Sequence, residues 1–206
     1  KQLSCFSKLL IIFVCMRYKF IKFLMVLVVP ISFFSSCNDN EAPPAPVVPN
    51  EEEVITTLNY TLISENEGDT VALSFQDLDG DGGNAPTITS GVLTQNTTYN
   101  CSIKLLNEME SPAKDITEEV KEEDEEHQFF FASTLSGVSI EYADQDADGN
   151  PLGLSSIIKT EGAESGNITV TLRHEPDKKA TGVSGGDITN AGGETDIEVS
   201  FDIQIK

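Results

Sequence analysis

The segment DIEVSFDIQI at 196–205 puts Ile197, Val199, Phe201, Ile203 and Ile205 on one side of an extended chain and polar residues on the other. A period of two suits a strand with one face on a core and the other in water, and it does not suit a helix. The same alternation groups Val71, Leu73 and Phe75, then Tyr99, Cys101, Ile103 and Leu105, then Ile168, Val170, Leu172 and His174. Further strands are expected at 56–63, 88–93, 128–133, 137–142 and 153–159, separated by Gly-, Asp- and Asn-rich turns. This pattern predicts an all-β fold, an antiparallel β-sandwich of immunoglobulin-like type spanning 54–206. Trp is absent, so Phe75, Phe129, Phe130, Phe131 and Phe201 are the expected bulky fillers. One stretch departs from the alternation. Residues 115–128 (DITEEVKEEDEEHQ) predict one short acidic helix, with Asp115 as cap, Glu118 as its partner and a thin stripe of Ile116 and Val120.

The N-terminal part has a different character. Residues 16–36 read as a lipoprotein signal peptide: Arg17, Lys19 and Lys22 give a positive start, and an apolar run from Phe23 to Phe34 follows. Ser35-Ser36-Cys37 resembles the lipobox of bacterial lipoproteins, in which the Cys is acylated and anchors the protein to the lipid bilayer. Residues 1–15 read as upstream extension, and 37–53 as the lipidated Cys and a disordered tether rich in Pro, Asn and acid. From Cys37 onward eight basic residues face 34 acidic ones, a balance of −26. Such a body repels nucleic acid and attracts cations. Cys101 is then the single thiol of the folded part, which excludes an internal disulfide there.

Two loops fit D-x-D-x-D-G: Asp77, Asp79 and Asp81 in DLDGDG, with Asn84 beyond, and Asp144, Asp146 and Asp148 in DQDADG. Alternate carboxylates followed by Gly begin a calcium loop. The twelfth positions are Ile88 and Ser155, so neither loop is an EF-hand. Asp, Asn and Gly are also the residues of tight turns, so each loop reads as a turn first and a calcium site second. A second candidate is the histidine pair. His127 follows the acidic run 122–126, and His174 ends a predicted strand on its apolar face. With Glu123, Glu126 or Glu175 they form a candidate His/carboxylate site for zinc or another divalent metal. The alternative is a hydrogen-bonded histidine at the core edge. Acids at a helix C-terminus also oppose its dipole, so a cation is expected near them: a metal, or Arg173, Lys178 or Lys179.

The sequence holds no nucleophile elbow, phosphate loop or Cys–His pair, which points away from an enzyme. The lipobox together with DLDGDGGN at 77–84, EEHQ at 125–128, LRHEP at 172–176 and GETDIEV at 193–199 resembles a group of small acidic outer-membrane lipoproteins. These are often labelled "type 1 periplasmic binding fold superfamily" and found beside TonB-dependent receptors. The label's repeated β-α-β units do not match a chain with one helix among alternating strands. The resemblance implies a lipid-anchored outer-membrane protein, at the cell surface or on the periplasmic face. Its implied function is non-enzymatic capture of a cation or metal-containing ligand as accessory to a TonB-dependent receptor. The alternative is a structural or adhesive envelope protein with calcium-stabilised loops.

Overall fold

The computed structural model describes residues 53–66, 68–80 and 82–206. The expectations for the signal peptide, Cys37 and most of the tether lie outside them. Among the described residues eleven strands form two sheets. The first sheet runs β3 (Thr87–Thr89), β2 (Thr70–Gln76), β1 (Thr57–Ser64), β5 (Thr98–Asn107), β9 (Ser155–Thr160), β8 (Val138–Tyr142), with β6 (Lys114–Asp115) paired to β5. The second runs β4 (Gly91–Leu93), β11 (Glu194–Ile205), β10 (Ser165–His174), β7 (His127–Ser133). All pairings are antiparallel except β4 with β11. This is the two-layer sandwich with one short helix that the alternation predicts.

The inward positions of both sheets meet in one core. Leu58, Tyr60, Leu62, Ile103, Leu105 and Ile158 from the first sheet pack with Phe129, Ile168, Leu172, Val199 and Phe201 from the second. Complete burial of one such side chain contributes roughly 1.5–3 kcal/mol. Phe129 and Phe201 fill the centre as expected, while Phe75 and Phe131 are only partly buried. Phe130 points out of the other face of its sheet and packs with Val183 and Ala191. Two tyrosines complete the volume, each with its hydroxyl satisfied: Tyr60 pairs with Ser156 Oγ at 2.7 Å, and Tyr99 accepts from the Thr94 N–H at 2.7 Å. Cys101 sits in this core, where burial pushes its thiol up to about 11, so it is inert as the alternation suggests.

Two boundaries differ from the sequence reading. The expected strand at 88–93 is two strands, because the chain leaves the first sheet at Thr89 and joins the second at Gly91. Gly91 permits the crossing: a Cβ there would lie 2.5 Å from Leu73 Cδ2. The helix α1 is shorter than expected, Ile116–Glu122. Asp115 caps it by accepting from the Thr117 N–H, and Ile116 and Val120 bury its stripe. Beyond Val120 only charged residues follow until His127, so nothing holds further helical turns on the core. The chain turns at 123–126 and His127 opens β7.

Candidate metal centre

The ladder of β7 on β10 pairs His127 with His174, Phe129 with Leu172 and Phe131 with Val170. Directly paired residues share a face, so both histidines project to the inner side of the second sheet, at the end of the core. Both are buried, 0% and 4% exposed. Their rings stack with centroids 4.6 Å apart and planes 30° apart.

The third strand supplies a carboxylate by breaking its own alternation. The register of β10 on β11 runs evenly to Leu172 with Ile197, then shifts, so that Arg173 faces Thr195 and His174 faces Glu194. Asp196 is the extra residue of this bulge. A bulge turns a side chain that strict alternation would send to solvent. The Asp196 carboxylate is accordingly 0% exposed and lies beside both histidines, and its neighbour Ile197 is buried as well. The fourth group comes from the other end of the chain. Glu53, just before β1, has a side chain only 6% exposed.

The four side chains form a ring. Glu53 Oε1 is 3.1 Å from His127 Nε2, and Oε2 is 3.6 Å from His174 Nδ1. Asp196 Oδ2 is 3.8 Å from His127 Nε2, and Oδ1 is 3.7 Å from His174 Nδ1. One ligand atom from each residue lies within 4.8 Å of the others. Zinc bonds near 2.0–2.1 Å in a tetrahedron separate ligand atoms by about 3.3 Å, so the ring needs only small closure to hold one ion. His127 Nδ1 lies 3.2 Å from the Glu123 carbonyl, where it donates in the tautomer that leaves Nε2 as an acceptor. Metal-binding histidines are oriented by such an outer bond. Despite the short distance to Glu53, Nε2 makes no hydrogen bond, and neither does the buried Glu53 Oε2.

The electrostatics follow. Burial alone would lower the His127 pKa, but Glu53, the Glu123 carbonyl and Asp196 outweigh it and raise it. Burial alone would raise the Glu53 carboxyl, but His127 beside it, its own backbone amide and His174 bring it below the usual carboxylate range. Two covered carboxylates against two imidazoles is a costly arrangement without positive charge, several kcal/mol per ion. Protonation or a divalent cation supplies that charge.

The other expected ligands are placed differently. Glu175 is exposed and left-handed (φ 49°), and with Glu126 and His174 it forms a second, more exposed group whose ligand atoms lie within 4.8 Å of one another, sharing His174 with the ring. Glu123 contributes its backbone carbonyl rather than its carboxylate. The three carboxylates of the second Asp loop do not converge. Asp144 accepts from the Gly153 and Ser155 N–H groups, at 2.7 and 2.8 Å. Asp146, 5% exposed, accepts from the Asn150 N–H at 2.7 Å and pairs with buried Lys178 at 2.9 Å. Asp148 pairs with Lys179 at 3.0 Å. At the loop where calcium is expected, two ammonium groups of the chain stand as counterions to Asp146 and Asp148. Lys178 also donates to the Asp124 carbonyl at 2.6 Å and to the Pro151 carbonyl at 3.2 Å, so it is the cation expected beside the acidic helix end.

In the first loop Asp77 caps a turn, accepting from the Asp79 and Gly80 N–H groups at 3.3 and 2.9 Å. Asp79 accepts from the backbone and side-chain nitrogens of Asn84, which hold its carboxyl below the usual range. Asp81 lies outside the described residues. The turn expected there is present.

Sequence reasoning found His127 and His174 and missed Glu53 and Asp196. No family model matches the chain, and no curated protein matches its sequence. Among solved structures it is similar to domains 4 and 5 of the S-layer protein SbsC, 11% identical, covering 71% of this chain and 75% of that one, with a TM-score of 0.26. A likeness of that degree says nothing of the site.

Proposed function

We propose that this chain is a non-enzymatic metal-binding module, a β-sandwich that holds one divalent ion of the zinc class at Glu53, His127, His174 and Asp196. One observation carries the reading: His127, fully buried, is tied by Nδ1 to the Glu123 carbonyl, and its Nε2 faces two carboxylates without a hydrogen bond. Mixed imidazole and carboxylate donors suit zinc and its neighbours rather than calcium, which takes six to eight oxygens. Catalytic zinc sites keep one position open for water, whereas here four protein donors converge with side chains 0–6% exposed. That closure favours retention of the ion over turnover.

The lipobox-like Ser35-Ser36-Cys37 supports an acylated membrane anchor, and the acidic body supports cation capture; the resemblance to small acidic lipoproteins supports the outer membrane and a neighbouring TonB-dependent receptor. Among the described residues no helix is long and apolar enough to cross a membrane. The experiment that tests the metal reading is elemental analysis of protein purified without chelator, followed by melting with and without chelator. One equivalent of zinc or a related ion, and a lower Tm after its removal, are expected. Metal-free protein whose melting ignores added zinc would end the reading. Cys37→Ser tests the anchor separately: the variant should lose membrane association.

A further inference from the structure

Glu53 and Val54 invert the usual segregation of side chains: the Glu53 carboxylate is 6% exposed, while Val54 beside it is 55% exposed. Alternation along an extended segment accounts for the pattern: Ile55 faces the core, so Val54 turns out and the Glu53 carboxylate turns in. Among the described residues, the first whose backbone is tied into a sheet is Thr56, which donates from N–H to the Leu106 carbonyl at 3.0 Å and accepts from the Asp77 N–H at 2.8 Å. Ahead of it, Ile55 rests against the core and Glu53 reaches the two histidines. The other three members of the ring stand on β7, β10 and β11 of the second sheet, whereas Glu53 leads into β1 of the first.

We infer that the metal acts as a clasp: its binding fastens the segment entering β1 to the end of the second sheet, with Glu53 as the detachable ligand. This rests on the metal reading above. His127, His174 and Asp196 are fixed by adjacent strands and form a three-donor base with or without the fourth. Glu53 is the donor whose backbone is not held by a sheet, so it closes the site last and leaves first. The bound ion then couples two events. It completes the ring of donors, and it sets whether residues 53–55 lie on the domain or swing free of it.

The test is backbone amide exchange of residues 53–56 in the full chain, with and without saturating zinc, compared with Glu53→Gln. Zinc should slow exchange of this segment at least tenfold in the unaltered protein and leave it unchanged in Glu53→Gln. The variant should still bind zinc through the remaining three ligands, at least tenfold more weakly. Its far-ultraviolet circular dichroism, matching that of the unaltered protein, controls for folding. If zinc binds stoichiometrically but the segment's exchange is unaltered, the clasp is overturned and the metal site stands. The same holds if Glu53→Gln binds zinc as tightly as the unaltered protein. If no zinc binds at all, both fall together.

Discussion

His127 and His174 face each other across neighbouring strands as a directly paired couple, their rings stacked 4.6 Å apart on the core side of the sheet. Two imidazoles in contact are compatible with one shared ion, and the two carboxylates that each span both rings fix where that ion would sit.

Asp196 is the ligand delivered by the bulge. Asp196→Asn keeps the side chain's size and removes its charge. Zinc affinity should fall tenfold or more, about 1.4 kcal/mol, while the far-ultraviolet circular dichroism stays the same. Calorimetric titration of the variant checks this, and an unchanged Kd would remove Asp196 from the site.

Lys178 is 5% exposed and ties the turn after α1 to the β8–β9 loop, through the Asp124 carbonyl on one side and Asp146 and the Pro151 carbonyl on the other. Lys178→Met keeps the stem and deletes the charge, leaving Asp146 buried beside it. Breaking a buried pair by removing one partner costs about 3–5 kcal/mol. Denaturant unfolding should show a loss of that order, with no calcium dependence. A rescue of the variant by millimolar calcium would instead show that the loop accepts a metal.

Acid should act on the same pair. Burial alone would raise the Asp146 carboxyl, but Lys178 and the Asn150 amide hold it below the usual carboxylate range. A depressed folded pKa contributes stability that is present above the unfolded value and is lost as pH falls through the folded one. Between pH 5 and pH 2, Asp146→Asn should therefore lose less stability than the unaltered protein. Parallel acid-unfolding curves for the two would contradict the assignment.

Gly193 touches the site's backbone. Its φ is 66°, and a Cβ there would lie 2.1 Å from the His174 carbonyl oxygen. Gly193→Ala should both destabilise the fold, by at least about 1 kcal/mol from the backbone conformation alone, and weaken zinc binding by displacing His174. Thermal melting and a zinc titration of the same sample measure the two effects.

Much of this was legible in the residues. The alternation placed nearly every strand, and it put His174 on the apolar face beside Ile168, Val170 and Leu172. His127 was legible through scarcity, since the chain has two histidines. Asp196 was not, because alternation sends it to the wet face with Glu198 and Asp202, and a bulge leaves no signature in an otherwise regular strand. Glu53 stands in an acidic run with no local pattern, and only tertiary packing selects it. Lys178 was visible as a cation near the helix end. That it would also occupy the second Asp loop depends on how the segment after β10 returns to Asp146 and Asp124.

The central claim is tested most directly by titrating zinc into metal-free protein and into His127→Ala. One equivalent should bind the unaltered protein and raise its Tm, because the ion binds the folded site and not the unfolded chain. At free zinc 100-fold above Kd that is about 2.7 kcal/mol, a rise on the order of 5–10 °C for a domain of this size. His127→Ala should show neither the binding nor the shift. Equal binding and an equal shift in both proteins, or none in the unaltered one, would contradict a metal centre at Glu53, His127, His174 and Asp196.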